Sequence, residues 1–190
     1  MRAYISPSTQ EKNITALGDT EENVMHRIAD ELVRLLKDSG IEVFRGQKDE
    51  TLTRMICESN NLAVDCHIAI HSNAHDGKTR GCEVFHYPNS ANGKKLADSI
   101  YKHMEALTPT ADRKVQENSA YYELKNTKAP AVIVEVDFHD SIEGATWINN
   151  NIYSIAETIA EGICGYLGVT LKKNPYRRAI EQIKAILEAL

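Results

Sequence analysis

Two polar residues set into apolar strands are the best candidates for chemistry in this chain, His71 and Glu135. The stretch Asp65 to Ala74 is apolar from Cys66 to Ile70 except for His67, lacks Gly and Pro, and runs into the turn-forming group His75, Asp76, Gly77 and Lys78. Such a strand delivers His71 to its C-terminal edge, where open α/β sheets bind ligands, so the imidazole is placed to hold a metal or move a proton. Glu135 interrupts a second apolar run, Ala131 to Val136. A carboxylate there is costly to bury unless it is paired, protonated or beside a metal.

The elements that must position these residues alternate between strand and helix. Residues 2 to 5 form a short strand closed by the polar loop Ser6, Pro7, Ser8, Thr9 and Gln10. Asp19 or Thr20 caps a helix with Glu21 and Glu22 in its first turn; Val24, Met25, Ile28, Leu32, Val33, Leu35 and Leu36 recur at helical spacing up to Ser39 and Gly40. A strand at Ile41 to Phe44, a helix from Leu52 to about Asn61, the His71 strand and a strand from Gly81 to Tyr87 follow. A helix spans Gly93 to Leu107, residues 108 to 128 read as polar and irregular with a short ordered insert at Tyr121 to Leu124, and a last long helix runs from Ala145 or Asn151 to Leu167. The expected fold is α/β, a largely parallel twisted sheet with helices on both faces. One domain, residues 1–170, is followed by an amphipathic helix in 171–190 with Ile180, Ile183, Ile186, Leu187 and Leu190 in a stripe. That helix docks as a last core helix, pairs two copies as a homodimer, or starts a linker.

With 190 residues, 42% hydrophobic and 26% charged, the chain suits one core. A net charge of −5 and the lack of a Lys/Arg block argue against nucleic acid as partner. No apolar run approaches the ~20 residues of a membrane span, and the first residues lack a signal-peptide core, so a cytoplasmic location until release is expected. Cys57, Cys66, Cys82 and Cys164 show no CxxC spacing and read as free thiols.

Taken in order, Glu22 at the first helix, Ile-His-Ser-Asn-Ala at 70 to 74 and Val-Glu-Val-Asp-Phe-His-Asp at 134 to 140 resemble the zinc-dependent N-acetylmuramoyl-L-alanine amidases, cell-wall hydrolases of bacteria and their phages. The opening Ser-Pro-Ser-Thr-Gln, the segment 107 to 113 and Tyr-Glu-Leu at 122 to 124 resemble an endolysin and wall-hydrolase branch from spore-forming Gram-positive bacteria. The resemblance covers roughly residues 2–168 and implies Zn2+ as cofactor and peptidoglycan as substrate. It also implies Glu22 and His71 as metal ligands, with Glu21 competing for the place of Glu22, and Glu135 as the catalytic carboxylate. The histidine the family carries after its first strand has no counterpart here. Gln10 is the first candidate for that place, through its amide oxygen; His26, four residues after Glu22 on the same helix, is the second. Asn73 and His139 are the expected substrate contacts, His139 alternatively touching the metal or holding its loop, with Ser72 and Asn73 orienting His71. The implied reaction cuts the bond between the lactyl group of N-acetylmuramic acid and L-alanine, Glu135 taking a proton from a zinc-activated water. A peptidoglycan binder without catalysis and a zinc peptidase of the stem peptide are the competing readings.

Overall fold

Alternation along each strand decides which residues meet which helices, and it sorts this protein into a thick and a thin layer about one sheet. The computed structural model describes residues 1–110 and 113–188, apart from the side chains of residues 175, 178, 185 and 188. β1 (Arg2–Pro7), α1 (Glu21–Asp38), β2 (Glu42–Arg45) and α2 (Leu52–Leu62) open the chain. β3 (Cys66–Asn73), β4 (Glu83–His86), α3 (Ala91–Leu107), β5 (Val115–Glu117) and α4 (Tyr122–Asn126) follow. β6 (Ala131–Phe138), α5 (Ile142–Asn150), α6 (Ile152–Leu167) and α7 (Pro175–Glu188) complete it.

The strands lie in the order β2-β1-β3-β6-β4-β5. β2, β1, β3 and β6 run parallel, whereas β4 is antiparallel to β6 and β5 is parallel to β4. The sheet is mostly parallel, as its sequence led one to expect, with a reversed pair at one edge. The segment read as irregular contains β5, and the short ordered insert expected at Tyr121 to Leu124 overlaps α4. β5 carries a single apolar residue, Val115, so no period marks it; it is held by pairing with Val84 and by Lys114 N donating to Tyr101 Oη at 3.0 Å. Ala111 and Asp112, within the 107 to 113 motif, lie outside the described residues. The last long helix is two, divided at Asn151, whose φ and ψ of −122° and 23° leave the helical region.

On one face Ala3 and Ile5 of β1, Ile68 and Ile70 of β3 and Val132, Val134 and Val136 of β6 pack with α1, α3 and α6. The intervening residues point the other way, where Tyr4 meets Met55 of α2, and Ala69 and Ile133 meet Leu124 of α4. His67, His71 and Glu135 belong by alternation to this thinner side. α3 and α6 approach closely at Gly162, where an added Cβ would stand 2.4 Å from Ile100 Cα.

His26 pairs with β2, which β1 separates from the His71 strand. It is buried, and its Nδ1 lies 2.9 Å from Arg45 Nη2 of β2, so the guanidinium donates to a neutral imidazole. Burial first, and then the Arg45 charge, push its pKa down to about 4.

Nor is α7 an added core helix. Ile180, Ile183, Ile186 and Leu187 are exposed, and Leu190 lies outside the described residues. α7 is fastened through Glu181, whose carboxylate accepts from Tyr153 N and Ser154 N at 2.6 and 3.0 Å. That caps α6 where Asn151 supplies no side-chain cap. Among the described residues, no helix is long and apolar enough to cross a membrane.

Two outcomes follow from this packing. Gly162→Ala gains helix propensity but must force the α3–α6 contact apart, and a net destabilisation of about 1–3 kcal/mol in chemical denaturation is expected. Because the folded state depresses the His26 pKa from 6.5 to about 4, its contribution is complete above pH 6.5 and is lost as pH falls toward 4. Unfolding free energies measured across that window should fall less steeply in His26→Gln than in the wild type, by a difference on the order of 2 kcal/mol at pH 4.

Candidate active site

Thr20 begins the construction, since its hydroxyl accepts from Asn23 N at 3.1 Å and fixes where α1 starts. Glu21 and Glu22 then occupy successive helical positions roughly 100° apart around the axis, so only one of them can face the sheet edge. The structure brings Glu21 there. Its Oε1 accepts from His71 Nδ1 at 3.0 Å, and its Oε2 accepts from Asn13 Nδ2 at 3.0 Å. Glu22 turns instead to the loop after β2, where its Oε1 is 3.4 Å from Asp49 N. Of the two acidic residues that compete for a place beside His71, the structure thus brings Glu21 into contact with the imidazole and turns Glu22 away, for a reason of helical phase.

Gln10 does reach the site. Its side-chain nitrogen lies 3.5 Å from His71 Nδ1, while its Oε1 accepts from Asn13 Nδ2. Asn13 thus ties Gln10 to Glu21, a role that nothing in its loop context announced.

Parallel pairing of β3 and β6 sets Glu135 directly beside His71. Next to the pair the register shifts between His71 and Asn73, which ends the regular ladder at the cleft. Glu135 is 8% exposed, and among the described residues its Oε2 has no hydrogen-bond partner. Burial pushes its pKa up to about 7; the His71 charge opposes that rise, and the Glu21 and Glu83 carboxylates add to it. For His71 burial favours the neutral ring, but the Glu21 hydrogen bond and the charges of Glu135 and Glu21 outweigh it and raise its pKa to about 9. Burial likewise opposes ionisation of Glu21, and the His71 and Asn13 hydrogen bonds hold its carboxyl below the usual range.

These groups open into a cleft of about 170 Å³ whose walls include Gln10, Leu52, His71, Tyr121, Tyr122 and Glu135. Asn73 and His139 do not line it. Asn73 donates to Glu83 Oε1 at 2.8 Å and accepts from Ala74 N, so its amide is engaged in bracing β4. His139 is 3% exposed and pairs with Ser72 Oγ at 2.8 Å, while its backbone bridges Asn73 O and Ala16 N. Both expected substrate contacts are thus placed as supports: the first is drawn to a buried carboxylate, and the second is covered by the loop before α1. Ser72 faces His139, not His71, because adjacent strand residues point to opposite sides.

Two further carboxylates escaped the sequence reading. Glu83 is the cross-strand partner of Glu135 and accepts from Asn73, Gln116 and Arg113. Glu123 of α4 reaches His67 Nε2 at 2.8 Å, and Ser59 Oγ meets the other ring nitrogen at 2.9 Å. His67 also stacks on Tyr4, centroid to centroid 5.3 Å. The signal for this network was His67 itself, a polar residue in an apolar strand.

Comparison with known proteins bears on the family and the fold. Over 173 residues the chain is 27% identical to the N-acetylmuramoyl-L-alanine amidase LytC of Bacillus subtilis strain 168, covering 86% of this chain and 35% of LytC. It is 26% identical over 134 residues to the germination-specific N-acetylmuramoyl-L-alanine amidase of the same strain, covering 69% of this chain and 56% of that protein. It therefore spans only about a third to a half of these curated relatives. In fold it is similar to the N-acetylmuramoyl-L-alanine amidase of Clostridium difficile 630, with a TM-score of 0.81 at 23% identity over 88% of this chain and 96% of the other. The catalytic domain of CwlV from Paenibacillus polymyxa has the same TM-score at 20% identity, over 90% of this chain and all of the other. The model of the N-acetylmuramoyl-L-alanine amidase family matches residues 5–165, and the chain belongs to that family.

Proposed function

We propose that this chain is the catalytic unit of a zinc-dependent N-acetylmuramoyl-L-alanine amidase of the endolysin or autolysin kind, acting on the amide between N-acetylmuramic acid and L-alanine in peptidoglycan. The observation that carries the reading is the pairing of Glu21 with His71 beside a buried carboxylate, Glu135, that has an oxygen without a partner among the described residues. A merely structural glutamate in an apolar strand would be expected to have both oxygens satisfied.

The donor set fits a zinc ion. Tetrahedral ligands at ~2.0–2.1 Å from zinc stand roughly 3.3 Å from one another. Glu21 Oε1 and the Gln10 amide lie 3.0 and 3.5 Å from His71 Nδ1. A half-turn of the Gln10 amide would present its oxygen in place of its nitrogen. Among the described residues, no group of three His, Cys, Asp or Glu is placed to hold a metal, so the set is two strong donors and one amide. His71, Glu21 and Gln10 would hold the ion, more weakly than a set with two histidines. The electrostatics favour a dication, because Glu21, Glu135 and Glu123 all act on His71.

Zinc, when bound, supplies Lewis acidity that polarises a carbonyl and makes a water more acidic. The chain's own residues then divide the work. Asn13 and the N-terminal turn of α1 orient Glu21, and Glu21 fixes His71. The Glu135 carboxylate takes a proton from the attacking water as oxygen adds to the carbonyl carbon, and it returns that proton to the alanine nitrogen as the C–N bond breaks. The products are a lactyl carboxylate and a free alanine amine. The raised proton affinity of Glu135 suits it to both transfers.

Purified peptidoglycan incubated with zinc-loaded protein should release new alanine N-termini and no new sugar reducing ends; new N-termini from other stem residues would instead make it a peptidase. Glu135→Gln is expected to lower turnover ~10²–10⁴-fold while zinc content is kept. Glu21→Gln and Glu22→Gln separate the two acidic residues by equilibrium zinc titration. Affinity should fall in the first by more than the ~10–100-fold typical of losing an outer partner of a ligand, and stay within about twofold in the second.

A further inference from the structure

The cleft carries a second polar group with no partner among the described residues. Tyr121 precedes α4 and is half-buried, its ring held edge-on by Phe85 with centroids 5.2 Å apart and planes at 73°. Its backbone N–H donates to Asn118 Oδ1 at 3.3 Å. Among the described residues its hydroxyl makes no hydrogen bond, although the Glu135 and Glu83 carboxylates both act on it. Burial, and then those two charges, push the phenol up from its ordinary value, so it stays protonated and can serve as a donor.

Glu135 and Tyr121 thus line one small cleft and bring to it an acceptor carboxylate and a donor hydroxyl, and among the described residues neither Glu135 Oε2 nor that hydroxyl has a partner. An amide has the complementary pair, an N–H and a carbonyl oxygen. We infer that Tyr121 is a further catalytic residue, its hydroxyl donating to the scissile carbonyl oxygen and to the negative charge that develops there while Glu135 handles the proton. The inference rests on the amidase reading above and extends it. It also bears on a metal site whose third donor is an amide: a fixed hydrogen bond to the developing oxyanion supplies stabilisation in addition to the cation. α4 carries the residue into place, because Leu124 packs against Ala69 and Ile133 and Glu123 is anchored on His67.

Tyr121→Phe removes the hydroxyl and leaves the ring against Phe85, so the cleft wall is retained. With a soluble muramoyl-peptide, kcat should fall about 100-fold with KM within about twofold, the size expected for losing one oxyanion donor. Zinc content and thermal midpoint should match the wild type. A second readout does not depend on turnover: a phosphinate analogue of the scissile amide should bind Tyr121→Phe more weakly than wild type by a similar factor, whereas the product muramoyl acid binds both alike. Equal kcat and equal phosphinate affinity in the two proteins would overturn the assignment and leave the amidase reading intact. If the wild type itself released no alanine N-termini, both would fall.

Discussion

Parallel pairing between β3 and β6 is the constraint on which the site depends. Because side chains alternate strictly along a strand, a single register places His71 beside Glu135 and turns both away from the thick hydrophobic layer. A slip of one residue would bury Ser72 in the cleft and send His71 into the packing against α1. The apolar residues between them, Ile68 and Ile70 on one strand and Val132, Val134 and Val136 on the other, hold that register by being fully buried. The polar site is therefore a consequence of the core on the opposite face.

Around that pair the molecule solves a problem of buried charge. Carboxylates at Glu21, Glu83, Glu123 and Glu135 converge on the thin side, each 8% exposed or less. Three of them are satisfied: Glu21 by His71 and Asn13, Glu83 by Asn73, Gln116 and Arg113, and Glu123 by His67. Among the described residues, Glu135 alone of these four keeps a buried oxygen without a partner. Leaving such a group unpaired costs stability on the order of 1–3 kcal/mol, which is the kind of strain that active sites retain. The supporting bonds explain why Asn73 and His139, which resemble functional residues by their position at strand ends, are drawn into structure.

Much of this was legible in the chain itself. His71 and Glu135 stood out because each breaks an apolar strand, and the strand–helix alternation gave the layered fold. Helical phase was not legible: Glu21 and Glu22 are the same residue type in the same turn, and only the position of the cap at Thr20 decides which one faces the sheet. The direction of β4 was also hidden, since a four-residue strand of Glu, Val, Phe and His reads alike in either orientation. β5 was too short to show a period, and α4 showed only as a short ordered insert without direction, so the wall that brings Tyr121 and Glu123 to the cleft was not legible as one. His26 misled through its spacing from Glu22; Arg45, far away in sequence, claims it.

The pairing of Glu21 with His71 is most directly tested by diffraction at the zinc absorption edge. Crystals of the protein equilibrated with zinc should give one anomalous peak within bonding distance of His71 and Glu21, with the Gln10 amide oxygen turned toward it and Glu22 still directed at Asp49. A peak bound by Glu22, or crystals that hold no ion at His71 while the protein still cleaves peptidoglycan, would contradict the assignment of these residues to the metal.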